Sequence, residues 1–130
     1  MFFKKNQKPQ NRIDTLIGAT TVIEGDIEFS GGLRIDGTVR GHITEISVQP
    51  GMLILSEQGH VDGTINVSHA MINGVVNGPV NVSEYVELQS KAKVIGDLRY
   101  KTLEMFVGAV VEGKLIHTGG TSTVAAAEDD

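Results

Sequence analysis

The side chains able to do chemistry are few and widely spaced. Histidines stand at His42, His60, His69 and His117, and acids are scattered as Glu24, Asp26, Glu28, Asp36 and Asp62. His42 and His60 share one parity and lie about one repeat apart, so a shared metal ion is chemically conceivable. Outward histidines on a strand are, however, ordinarily plain surface residues. The acids read as a solvated face, because no cleft is implied between them for acid/base work. Serines and threonines fall in turn-like segments without a nucleophile elbow. The chain has no cysteine, which removes thiolate metal sites, thiol nucleophiles and disulfides. No Gly-x4-Gly-Lys-Ser/Thr phosphate cradle occurs. The expectation is a protein with no catalytic residues, cofactor or metal, and hence not an enzyme.

A different chemistry is concentrated at the N-terminal tip. Met1-Phe2-Phe3 precedes Lys4, Lys5 and Lys8. Two phenylalanines can enter a lipid interface while the lysines meet anionic headgroups, at about 1 kcal/mol per cation. One copy binds weakly, whereas many copies on one polymer bind firmly because later contacts are intramolecular. Met1, Phe2, Phe3, Lys4, Lys5 and Lys8 are therefore the expected membrane-binding residues. With Arg12, the first twelve residues carry +4; the chain's net charge of −5 leaves −9 on the rest. An acidic body argues against nucleic acid as the main partner. No stretch approaches the roughly 20 apolar residues of a membrane span. The tip also lacks the about 7–15 apolar residues of a secretory signal, so a cytoplasmic location is expected.

The elements beneath these groups follow from one pattern: apolar, any residue, glycine, any residue, apolar. It occurs at Ile23–Ile27, Val39–Ile43, Val61–Ile65, Val76–Val80, Val94–Leu98 and Val111–Leu115, with glycines at 25, 41, 63, 78, 96 and 113. Steps of 15 to 22 residues are too short for a helical repeat and suit one coil of a β-solenoid. Between the glycines, apolar residues alternate by two, as in Ile27, Phe29, Leu33, Ile35, Val39 and Ile43, so one strand face meets a core and the other meets water. The same alternation is read through Leu103, Met105, Val107, Ala109 and Val111. β-Branched residues dominate and no convincing helix is present. The glycine marks a corner. Stacked coils align Ile23, Val39, Val61, Val76, Val94 and Val111 in one column, and Ile27, Ile43, Ile65, Val80, Leu98 and Leu115 in another. The fold class is thus all-β: a single-domain parallel β-helix of about six coils over residues 14–117. Residues 1–13 are expected to be a disordered membrane-targeting tail, and residues 118–130 a disordered acidic tail.

A solenoid has two open ends, each with unpaired backbone groups and bare core. Neither tail has the composition to cover them. Leu16, Ile17, Val22 and Ile23 in the first coil, and Leu103, Met105, Phe106, Val107 and Val110 in the last, are the candidate polymer interface. Phe106 breaks the inward parity and points out at the terminal edge. Other copies of the chain are the expected cover, giving a filament.

The run Leu16-Ile17-Gly18 through Thr21-Val22-Ile23-Glu24-Gly25-Asp26-Ile27, followed by Gly32-Leu33-Arg34-Ile35-Asp36-Gly37-Thr38-Val39-Arg40-Gly41, resembles the opening of the bactofilin domain. The Met1–Lys5 start is similar to the membrane-targeting tip of many bactofilins, and the likeness covers about residues 1–117. The resemblance implies a right-handed β-helix that polymerises without nucleotide. It further implies a bacterial cytoskeletal scaffold at the inner face of the cytoplasmic membrane that positions cell-wall or morphogenesis proteins. The rival class is a left-handed β-helix hexapeptide acyltransferase, which needs an apolar beat every six residues; spacings of 16, 22 and 15 break it. The lack of a signal sequence argues against a secreted adhesin or ice-binding solenoid; a regular Thr-x-Thr ladder would revive that reading, and none is present.

Overall fold

The computed structural model describes residues 12–46 and 49–119, and the expected tip residues Met1 to Lys8 lie outside them. The described chain holds sixteen strands and no helix, wound into a parallel solenoid of about six coils with three faces per coil. The first face stacks β1 (Thr15–Ile17), β4 (Gly32–Ile35), β7 (Met52–Leu55), the end of β9 (Ile65–Ile72), the end of β11 (Val80–Leu88) and β14 (Thr102–Met105). The second stacks β2 (Val22–Glu24), β5 (Thr38–Arg40), β8 (His60–Asp62), β10 (Val75–Asn77), β12 (Lys93–Ile95) and β15 (Val110–Glu112). The third stacks β3 (Ile27–Phe29), β6 (Ile43–Glu45), the starts of β9 and β11, β13 (Leu98–Tyr100) and β16 (Leu115–His117). Strands β9 and β11 run through a corner and serve two faces, so sixteen strands fill six three-sided coils.

Both columns expected from the repeat are present in register. Ile23 pairs Val39, which pairs Val61, Val76, Val94 and Val111 in turn; Ile27 pairs Ile43, then Ile65, Val80, Leu98 and Leu115. The first face adds a column of Leu33, Leu53, Ala70, Val86 and Leu103 and another of Ile17, Ile35, Leu55, Ile72 and Leu88, which close a single core with no buried charged residue among those described.

The glycine column turns the corner between the second and third faces. A methyl group on Gly63 would strike the carbonyl oxygen of Gly41 one coil below, and its φ of +153° disfavours any side chain. Next along the chain, backbone N–H groups point toward the preceding coil. The Asp26 carboxylate accepts from the His42 N–H at 2.8 Å, His42 Nδ1 from the Thr64 N–H at 3.0 Å, and Asp97 from the Lys114 N–H at 2.9 Å. Thr64 is followed one coil later by Pro79, which has no N–H to satisfy. The polar residues of this column are thus a hydrogen-bond ladder as well as a solvated edge.

Two local departures from simple alternation have structural causes. The 22-residue step contains an extra connection between β6 and β7, closed by Glu45, whose carboxylate accepts from Gly51 N–H, Ser68 N–H and Ser68 Oγ, each at 2.7 Å. The inward alternation read through Val107 does not continue there. Residues Phe106 to Ala109 form a turn closed by the Ala109 N–H on the Phe106 carbonyl at 3.1 Å, and Val107 at its tip is 96% exposed.

Candidate assembly interface

At either end of the rod, strands have a neighbour on one side only. β1, β2 and β3 pair upward, and β14, β15 and β16 pair downward, which leaves a free ladder edge on every face of both terminal coils. Open edges of this kind are templates for another strand. Apolar exposure follows the same geography. Of nine large hydrophobic residues exposed among those described, Ile13, Leu16 and Val22 belong to the lead-in and first coil, and Phe106, Val107, Val110 and Leu115 to the last; only Ile46 and Ile95 lie elsewhere.

The nine residues expected at the interface separate into three groups. Leu16, Val22, Phe106, Val107 and Val110 are exposed at the ends. Ile23 and Met105 are half-buried on the core rim. Ile17 and Leu103 are buried beneath their own coil's backbone and present little surface to a neighbour. Phe106 continues the outward column of Asp36, Ser56, Asn73 and Gln89, each donating its N–H to the coil before, which explains its broken parity. Sequence reasoning missed Leu115 and Ile13. The signal for Leu115 was available, since it closes a column whose inner members are wholly buried.

Electrostatics along the body are local. Burial, and then the Glu104 carboxylate 2.6 Å from its hydroxyl, push the Tyr85 phenol far up, and Glu87 accepts from the same hydroxyl at 3.1 Å. The hydrogen bond from the Gly32 N–H at 2.8 Å, followed by Arg12, holds the Asp14 carboxyl below its ordinary value. The Asn77 amide and then His60 do the same for Asp62.

The histidines are not brought together as a metal pair. His42 lies in the corner column, with Nδ1 taken by Thr64, while His60 lies on the second face, with Nε2 2.9 Å from Asp62. No group of three potential metal ligands occurs among the described residues. His117 packs edge-on to Tyr100, with ring centroids 5.7 Å apart. His69 lines an open lateral groove of about 800 Å³ with Thr44, Asn66, Asn81 and Arg99, next to Ser68 and Glu45. Burial lowers its affinity for a proton, against the pull of Glu45 and Glu84. The Ser68 hydroxyl spends its one proton on Glu45, so His69 Nδ1 must donate to Ser68 Oγ at 2.9 Å. That is the reverse of what a histidine base needs to activate a serine.

Three-sided coils, a continuous aliphatic core and bare terminal coils define a parallel β-solenoid suited to stacking on itself. Residues 15–116 match the bactofilin family model, described as polymer-forming cytoskeletal, and the chain belongs to that family. It is 31% identical over 102 residues to the bactofilin BacO of Myxococcus xanthus, covering 78% of both chains. It is 29% identical over 112 residues to BacP of the same organism, covering 86% of this chain but 45% of BacP, so it spans under half of that relative's length. No solved structure matches it significantly.

Proposed function

We propose that this polymer-forming cytoskeletal protein assembles by end-to-end stacking of its solenoid, without nucleotide, and lies on the inner face of the cytoplasmic membrane through its N-terminal tip. There it serves as a scaffold for cell-wall or morphogenesis proteins. The observation that carries the stacking is the concentration of exposed apolar side chains on the lead-in and the two terminal coils, seven of the nine large ones among the described residues, where the sheets also end in unpaired edges. Assembly and attachment reinforce one another, because each added subunit brings one more weak lipid contact to the same body. The hexapeptide acyltransferase is not favoured: the uneven coil lengths and the family both count against it. Deleting residues 2–8 tests the membrane half of this reading. The deleted protein is expected to form filaments as before yet fail to float with anionic liposomes through a density gradient. Continued flotation with the liposomes would overturn it.

A further inference from the structure

The lead-in to the first coil is pinned to one corner of the rod, the corner between the third and first faces. Asp14 donates its N–H to the Gly32 carbonyl at 2.9 Å and accepts the Gly32 N–H on its carboxylate at 2.8 Å. A methyl group on Gly32 would collide with the Arg12 carbonyl oxygen, so the lead-in lies flat on that corner. On the other side of Gly31 and Gly32, the connection after β6 is held by Ile46 N–H on the Phe29 carbonyl at 2.9 Å and Met52 N–H on the Gly31 carbonyl at 3.1 Å. Ile13 and Ile46, both exposed, therefore sit on the same corner about two strand spacings, or roughly 10 Å, apart.

The charges on this corner are largely cancelled. Arg12 pairs with Asp14 at 3.0 Å and Lys101 stands 3.6 Å from Glu84, while Glu45 is held by three neutral donors. The corner between the second and third faces carries more acid than base, with Glu24, Asp26, Asp62, Asp97 and Glu112 against Arg40, which pairs with Glu24 at 2.9 Å, and Lys114. An anionic surface is repelled more strongly there than here. Arg12, the first described residue, lies on this corner, so the chain that precedes it meets the described rod here.

We infer that the corner carrying Ile13 and Ile46 is the edge that the filament lays on an anionic lipid surface, with both isoleucines in the interface beside the tip. This rests on the membrane reading above and adds which side of the rod faces the bilayer. The absence of native cysteine permits single labels. The full chain is labelled with an environment-sensitive fluorophore at Ile46→Cys, at Ser83→Cys farther along the same corner, or at Ile95→Cys on the second face. Each is mixed with vesicles of phosphatidylcholine and phosphatidylglycerol. Emission is expected to shift to the blue and to resist aqueous iodide at 46 and 83 but not at 95. Ile46→Glu is expected to weaken vesicle binding roughly fivefold. Flotation with the vesicles but no change at 46 and 83 overturns the edge alone and leaves the tip reading standing. A shift at 46 that rises with protein concentration in the absence of vesicles overturns it in favour of a second copy. Failure of the wild-type chain to float with the vesicles overturns both readings.

Discussion

The same columns of side chains are fully enclosed in the middle of the rod and half open at its ends. Ile43, Ile65, Val80 and Leu98 have no exposure, whereas Leu115, the next member of their column, is 46% exposed. Val39, Val61, Val76 and Val94 are likewise enclosed, while Ile23 and Val111 at the two extremes are only partly covered. Residue type and local conformation hardly differ between these positions. What differs is the presence of another coil. Burial in this protein is supplied between coils rather than within one, so a terminal coil is an interior coil missing its neighbour.

The largest contrast should appear in the glycine column. Gly63→Ala drives a methyl group into the Gly41 carbonyl, and a loss of more than about 3 kcal/mol is expected. Gly25→Ala in the first coil meets no atom within contact distance and bears only the strain of φ +141°, about 1–2 kcal/mol. Thermal melts followed by circular dichroism, in a Leu115→Arg background to limit assembly, measure both; equal losses would break the comparison. Next comes cavity formation. Ile65→Ala is expected to cost about 3 kcal/mol, and Ile27→Ala in the half-covered first coil about half of that. If filaments are allowed to form, end-to-end stacking brings the Ile27→Ala loss closer to the interior value.

The smallest effects are those of pH. Asp14 and Asp62 have folded-state values lowered from an ordinary 3.8, so their stabilisation is present above that value and lost as pH falls below it. His69 is lowered from 6.5, so the folded state is favoured above 6.5 and loses that contribution as pH falls through the lower folded value. Stability measured from pH 7.5 downward should therefore sag first below 6.5, and His69→Asn should remove that early phase while leaving the fall below pH 4. An unchanged profile in His69→Asn would show that its protonation does not couple to folding.

Legibility in the sequence followed the same division. The columns through Val61 and Ile65 could be read because a fixed five-residue unit spans the corner between the second and third faces, and that corner requires glycine at a close backbone approach. The first face was not legible as columns. It follows turns of differing length, so its members Leu33, Leu53, Ala70, Val86 and Leu103 fall at no constant offset from the glycines. Val107 was read as inward from parity alone, although the Phe106–Ala109 turn that breaks parity carries a turn signal in Gly108, whose φ is +105°. His42 as an acceptor for the coil above had no sequence signal, since its role depends on which residue stacks on it. At the ends, apolar character was legible, but division of that set into exposed Leu16 and enclosed Ile17 depends on the strand's facing.

The most direct test is sedimentation with negative-stain microscopy of the full chain in nucleotide-free buffer, comparing wild type, Val22→Arg in the first coil, Leu115→Arg in the last and Gln58→Arg on a turn at mid-rod. Stacking through the terminal coils predicts filaments for wild type and Gln58→Arg, and small folded species with near-wild-type circular dichroism for both end variants. Filaments of normal length from Val22→Arg and Leu115→Arg together would contradict it.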